Sequence, residues 1–218
     1  MTTTRAYTTP ADAWRALRDG NARFAAGTMA HPAQDAARRS TLVEGQAPFV
    51  SFFGCSDSRA ALEIVFDLGL GDAFVIRNAG HVIDTTVIGS VEYGTEVLGT
   101  PLLVVAGHES CGAVAAAYET LTTGQQAEGM VRAVVDRVIP SATRLHGGVM
   151  ELPTGARELG REHTRNTVDM IYTYSSAVAR AVDAGRLAIV GVEYSLSDGR
   201  VRLLDVRGDL DTPLDIPA

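Results

Sequence analysis

Pro101-Leu102-Leu103-Val104-Val105-Ala106-Gly107-His108-Glu109-Ser110-Cys111-Gly112 is the stretch on which the fold turns. Its first half is an apolar run of strand length without polar alternation, so both of its faces must be buried. That is the mark of a parallel strand covered by helices on each side. Its second half changes abruptly to groups that carry chemistry. Upstream, Pro48-Phe49-Val50-Ser51-Phe52-Phe53-Gly54 is a second apolar run, bounded by Pro and Gly, that delivers Cys55 at its C-terminal end. Residues 73–77 and 187–192 read as two further strands. Ser197-Asp198-Gly199 marks a turn, and Val201, Leu203 and Val206 alternate beyond it, so the chain closes on a hairpin. The expected fold is α/β: a parallel-core sheet of four strands plus an antiparallel edge strand, flanked by helices.

Helical signals fill the gaps. Thr9-Pro10 is a helix start, a hydroxyl cap with proline in the first turn, and Trp14, Leu17 and Phe24 form its apolar stripe up to Gly27. Residues 28–46 read as a surface linker with a short helical piece. Leu62, Ile64, Val65, Phe66 and Leu68 suggest a helix closed by Gly69 and Gly71; this glycine pair lacks a third glycine and precedes a strand, which excludes a dinucleotide loop. Asp84-Thr85-Thr86 caps a helix running to Gly99. Others are expected over 113–121, with Gly124 as breaker, and from Val131 until Pro140 cuts it. Residues 146–156 look like loop, and one long helix is expected over about 157–183, stopped at Gly185. The whole, 1–218, reads as one domain with an N-terminal helical arm over about 1–46, of which residues 1–9 look arm-like or disordered.

With 218 residues, 46% of them hydrophobic, the chain can bury a substantial core. A net charge of -7 and a pI near 5.2, with no basic cluster, argue against nucleic acid or an anionic membrane as partner. The N-terminus lacks the apolar core of a secretory signal, and no apolar run is long enough to span a bilayer. A cytoplasmic protein is expected, and in a reducing compartment two cysteines are better suited to metal than to a disulfide.

Both cysteines sit at strand ends, in Cys55-Ser56-Asp57-Ser58-Arg59 and in His108-Glu109-Ser110-Cys111. Two thiolates and an imidazole form a soft ligand set suited to zinc, and three protein ligands leave a fourth position open, as in catalytic sites. The alternative is a pair of ordinary buried thiols. Asp57 also has two readings. It caps the next helix while Arg59 is a solvated charge, or Arg59 holds its carboxylate oriented toward a water on the metal. If the strands ending at Cys55 and His108 are neighbours whose helices lie on opposite faces, the site falls at the switch point of the sheet, where α/β proteins bind ligands. His31, His81, His146 and His163 read as ordinary histidines, with His81 the one near enough to the cleft to be considered for proton transfer. Tyr172 and Tyr174 read as helix packing.

Cys-x-Asp-x-Arg followed by His-x-x-Cys resembles the β-class carbonic anhydrases, and the likeness runs from Gly20-Asn21-Ala22-Arg23-Phe24 to Tyr194. The resemblance implies zinc on Cys55, His108 and Cys111. It implies reversible hydration of carbon dioxide to bicarbonate and a proton, with a hydroxide on zinc as nucleophile and the Asp57-Arg59 pair assisting. It also implies a cleft of Gln46, Phe74, Ala79, Tyr93 and Gly112, with Gln46 on a substrate oxygen, and an N-terminal helix lying across a partner in a homodimer or homotetramer. The family has a second state in which the aspartate leaves its arginine and ligates zinc, favoured at low pH. Bicarbonate-inhibited members add a Trp-Arg-Tyr pocket; Arg77 and Tyr194 match two of those positions, but Phe52 stands in place of the Trp. Relatives on the same scaffold hydrolyse carbonyl sulfide or carbon disulfide, and a non-catalytic zinc module capped by Asp57 is a further alternative.

Overall fold

The computed structural model describes residues 6–143, 145–146, 149–150 and 153–210. Residues 1–5 of the expected arm, and 147, 148, 151 and 152 of the expected loop, lie outside the described residues, as does the expectation for the His146 side chain; where loop was expected at 146, 149 and 150, the backbone forms a short antiparallel strand pair instead. The strands are β1 (Val50–Cys55), β2 (Ala73–Asn78), β3 (Leu102–His108), a small antiparallel pair β4 (Leu145–His146) and β5 (Val149–Met150), then β6 (Ala188–Tyr194) and β7 (Val201–Arg207). The main sheet has the order β2-β1-β3-β6-β7, parallel through its first four strands and antiparallel at the β7 edge. Both fold expectations, the parallel core and the antiparallel edge, are met.

The helices are α1 (Pro10–Ala25), α2 (Ala36–Thr41), α3 (Leu62–Val65), α4 (Thr85–Glu92), α5 (Gly112–Thr123), α6 (Val131–Val138), α7 (Ala156–Tyr174) and α8 (Ser176–Asp183). Side chains alternate across a strand, so the apolar runs feed two cores at once. On one face Val50, Phe52, Leu102, Val104, Ala106, Ala188 and Val190 pack with Ala13, Trp14 and Leu17 of α1 and Leu62 and Val65 of α3. On the other, Phe53, Leu103, Val105 and Ile189 meet Val87 and Val91 of α4, Val168 and Ile171 of α7, and Val178 and Ala181 of α8. Full burial of a side chain of this size contributes about 2 kcal/mol. Trp14 and Leu17 therefore tie α1 to its own chain.

Three helices differ from expectation, each for a local reason. The long helix expected over 157–183 breaks at Ser175, which is extended (φ -110, ψ 105) and whose hydroxyl accepts from Val178 N, so it caps a new helix instead of continuing the old one. α3 stops at Val65 because Phe66 turns inward to stack on Phe52. Asp67 follows in the left-handed region (φ 50) with its buried carboxylate accepting from Arg23, Ala30 N and His31 N. α4 ends at Glu92 and passes into a wide turn over Tyr93–Val97, closed by Leu98 N donating to Tyr93 O at 3.0 Å.

The chain leaves β1 through α3 on the first face to reach β2 on one side. It returns through α4 on the second face to β3 on the other side of β1. That reversal leaves a crevice beyond the C-terminal ends of β1 and β3.

Candidate metal centre

Cys55 is the last residue of β1, His108 the last of β3, and Cys111 precedes α5. The strand ends and the helix start bring their donor atoms within 4.8 Å of one another, all three residues buried. Val82, Val114, Val135, Val138 and Leu159 pack around the two cysteines, so the cluster sits in apolar surroundings. The cysteines are free and their sulfurs stand 3.9 Å apart. Two sulfurs each ~2.3 Å from one tetrahedral ion would be ~3.8 Å apart, so the spacing fits a shared metal.

The imidazole is set for the same role. His108 Nδ1 lies 2.9 Å from Glu109 O, which can only accept, so Nδ1 carries the proton and Nε2 offers its lone pair. That Nε2 is buried without a hydrogen-bond partner among the described residues, a costly state for a polar atom unless an ion takes it up. Glu109 is itself held: its carboxylate accepts from Ser195 Oγ and Leu196 N and pairs with Arg157 at 2.7 Å.

The sulfurs compete for negative charge. The neighbouring Cys111 thiol holds the Cys55 pKa low against the opposing effect of burial, with help from His108 and from Gly80 N, which donates to Sγ at 3.3 Å. Cys111 is pushed up by Cys55 and by burial, and the first N–H groups of α5 offset part of this. His108 is raised: burial opposes its charge, but the facing Cys55 sulfur outweighs it.

Asp57 forms a two-pronged pair with Arg59, Nε to Oδ1 at 2.9 Å and Nη2 to Oδ2 at 2.8 Å, and also accepts from Arg59 N at 2.9 Å. These bonds hold its carboxyl well below the usual carboxylate range. Its Oδ2 lies 3.9 Å from His108 Nε2, at the mouth of the ligand triangle. The helix-cap reading of Asp57 fails, since α3 begins only after Ala61 and has no side-chain cap. Arg59 in turn reaches Ser110 O at 3.2 Å and so couples the two motifs. Arg77 binds Cys55 O at 2.9 Å and Asp57 O at 2.7 Å, bracing the first motif from β2. No sequence signal marks that backbone role, nor those of Gly80 and Glu109.

The expected cleft residues fall into two groups. Ala79 and Gly112 lie exposed beside the ligand triangle, Ala79 just after β2 and Gly112 at the start of α5. Phe74 pairs in register with Ser51 near the start of β1, and its ring lies 5.7 Å from that of Tyr93. Gln46 precedes β1 and is exposed. Because β1 rises ~3.3 Å per residue, this second group is separated from Cys55 by most of the length of the strand, about 16 Å. One chain therefore does not gather all five around its own triangle. His81 is 1% exposed and packs its ring against His163, centroids 4.5 Å apart, which removes it as a route for protons to solvent. Phe52 is fully buried on Phe66.

A family model described as carbonic anhydrase matches residues 50–201. The carbonic anhydrase of Mycolicibacterium smegmatis is 49% identical over 201 residues, covering 92% of this chain and 96% of that protein. Among solved structures, Coccomyxa β-carbonic anhydrase superposes with a TM-score of 0.68 at 24% identity, covering 94% of this chain and 91% of that one. A tetrameric β-carbonic anhydrase from Sordaria macrospora gives 0.67 at 24% identity, covering 88% and 95%.

Proposed function

The chain belongs to the β-class carbonic anhydrases, and from that premise we propose that it binds one zinc ion on Cys55, His108 and Cys111 and interconverts carbon dioxide and bicarbonate at the crevice between β1 and β3. The observation that carries the reading is the buried triangle of three soft donors, with an orphaned imidazole nitrogen turned inward and an arginine-held carboxylate 3.9 Å from it. Zinc in such a site supplies a Lewis acid that makes water acidic enough to serve as a nucleophile near neutral pH.

The chain's own residues do the rest. Arg59 keeps Asp57 ionised and fixes its plane, so Oδ2 can only accept a hydrogen bond from a hydroxyl group in the crevice. A hydroxyl oriented in this way would keep a lone pair of its own oxygen free for the substrate carbon. Arg77 keeps Cys55 and Asp57 in one rigid loop through their carbonyls. Asp57 stands paired with Arg59 here, so its carboxylate would not compete for a metal held by Cys55, His108 and Cys111. Two thiolates weaken the metal as a Lewis acid, so the orientation supplied by Asp57 gains weight.

The assembly we propose is a homodimer or a tetramer built from it, in which Gln46, Phe74 and Tyr93 of one chain complete the cleft of the other. Their distance from Cys55 within one chain supports this, as does the side-by-side exposure of Tyr93 and Val97. We place the protein in the cytosol, where its two free thiols stay reduced; no helix among the described residues is long and apolar enough to cross a membrane.

The test is stopped-flow hydration of carbon dioxide from pH 6.5 to 9 on protein of measured zinc content. Activity proportional to one zinc per chain is the expected result. A fully zinc-loaded protein without hydration at any pH would overturn the proposal.

A further inference from the structure

Behind the ligand triangle, Ala79–His81 forms a tight turn of unusual backbone. Gly80 has φ +68 and His81 φ 41, and a Cβ on Gly80 would meet that of Ala113 at 2.8 Å. Left-handed backbone at a histidine costs about 1 kcal/mol and persists only where its surroundings impose it. Asn78 clamps the turn from one end, accepting from Val82 N at 2.9 Å and donating to Val82 O at 2.7 Å. From the other side, His163 on α7 reaches Gly80 O at 2.9 Å through Nε2.

The direction of every bond in this cluster follows from the groups. A carbonyl can only accept, so His163 Nε2 carries the proton. His163 is fully buried, and burial pushes its pKa down to about 4, so the ring is neutral and Nδ1 accepts. Ser141 Oγ, 2.9 Å away, is then the donor, and it accepts in turn from Asn166 Nδ2 at 3.2 Å. The chain runs from Asn166 through Ser141 and His163 to the carbonyl of Gly80, and the N–H of the same glycine, on the other side of its Cα, points at the Cys55 sulfur at 3.3 Å.

The two sulfurs differ in how they obtain such help. Cys111 stands at the N-terminus of α5 and receives its first N–H groups. Cys55 ends a strand instead of opening an α-helix, and its sulfur takes backbone N–H groups from Gly80 and Asp57. We propose that His163 is a positioning residue of the metal centre, holding the strained Gly80 turn so that its N–H stays on the Cys55 sulfur. An amide N–H on a thiolate withdraws charge from it, which leaves less for the metal and keeps the ligand in place. The inference rests on the proposed metal site.

The test uses the full chain with cobalt in place of zinc, as wild type and as H163L, H163Q and S141A. Two properties are read: the sulfur-to-cobalt absorption band, and zinc affinity by competition with a chelator. Leucine removes the donor, glutamine places an amide N–H where Nε2 stood, and alanine at 141 frees the ring while leaving α7 intact. H163L is expected to shift the band and to weaken zinc binding ~10-fold, the usual cost of losing an outer partner of a metal ligand. S141A should move both in the same direction, and H163Q should restore both. If H163L does not fold, S141A against H163Q decides. Band and affinity unchanged in H163L and S141A, or perturbed in H163Q as much as in the others, would overturn the proposal. Cobalt bound by wild type without any thiolate band overturns the metal reading itself, a failure visible before any variant is made.

Discussion

At the scale of single residues, two side chains argue for opposite uses of burial. Asp57 is kept charged at the crevice mouth by Arg59, which makes no ion pair with another acidic residue among the described residues. Replacing Asp57 by Asn keeps the shape but adds an N–H donor where only acceptors serve. The expected outcome is a fall in kcat/KM of about 10- to 100-fold with zinc content unchanged, and equal zinc loss would point instead to a structural role. His163 is kept neutral. It titrates at about 4 in place of 6.5, because burial disfavours its charged form. As the pH falls, the unfolded chain takes up this proton first. Its contribution is therefore intact above pH 6.5 and is lost between there and about pH 4, some 3 kcal/mol over the full range. His81, buried beside it, is depressed in the same direction by burial first and by the neighbouring histidines second. Urea midpoints at pH 7 and pH 5 should converge in H163Q relative to wild type; an equal drop in both would remove His163 as the cause.

At the scale of elements, the strands were readable because continuous apolar runs bounded by Pro and Gly admit few other structures. Phe49 to Cys55 and Leu102 to Ala106 are buried throughout. Helix ends were less so, since they depend on single contacts. Ser175 breaks a pattern whose apolar spacing runs straight across it, by bonding both Val178 N and Glu92. The donors Cys55, His108 and Cys111 were legible as residue types at strand ends; the bonds that Gly80 and Arg77 make to the first motif were not, because residue type does not announce them. Asn21 of α1 shows the same limit. Its amide donates to Val65 O and Gly199 O and accepts from Val201 N, so one buried side chain joins α1, α3 and the β6–β7 turn. Gly20 beside it allows the approach, since a Cβ there would lie 2.0 Å from Phe66 O. Asn21→Ala removes the side-chain partner of one buried backbone group, Val65 O, and of two half-buried ones, Gly199 O and Val201 N, and should lower the stability measured by urea by about 2 kcal/mol. A loss under about 1 kcal/mol would mean that water replaces the amide.

At the scale of the whole molecule, the cleft proposed above would have to contain residues from both ends of β1. Gln46 precedes the strand and Cys55 ends it, and a rigid central strand cannot fold back on itself. The homodimer proposed above would solve the problem, because a two-fold axis can set the start of one chain's sheet against the end of the other's. The arrangement makes a prediction that a single-chain cleft cannot match. On that proposal Q46A would lack the substrate contact and C55S would lack a metal ligand, so each homodimer should be strongly impaired. In a mixed dimer, the metal of the Q46A chain faces the intact Gln46 of the C55S chain, and one complete site reappears. Unfolding and refolding the two variants together at equal concentration should therefore restore about a quarter of wild-type activity, since half of the dimers are mixed and each has one working site. If Gln46 served its own chain, the mixture would contain no complete site and its activity would stay at the average of the two variants.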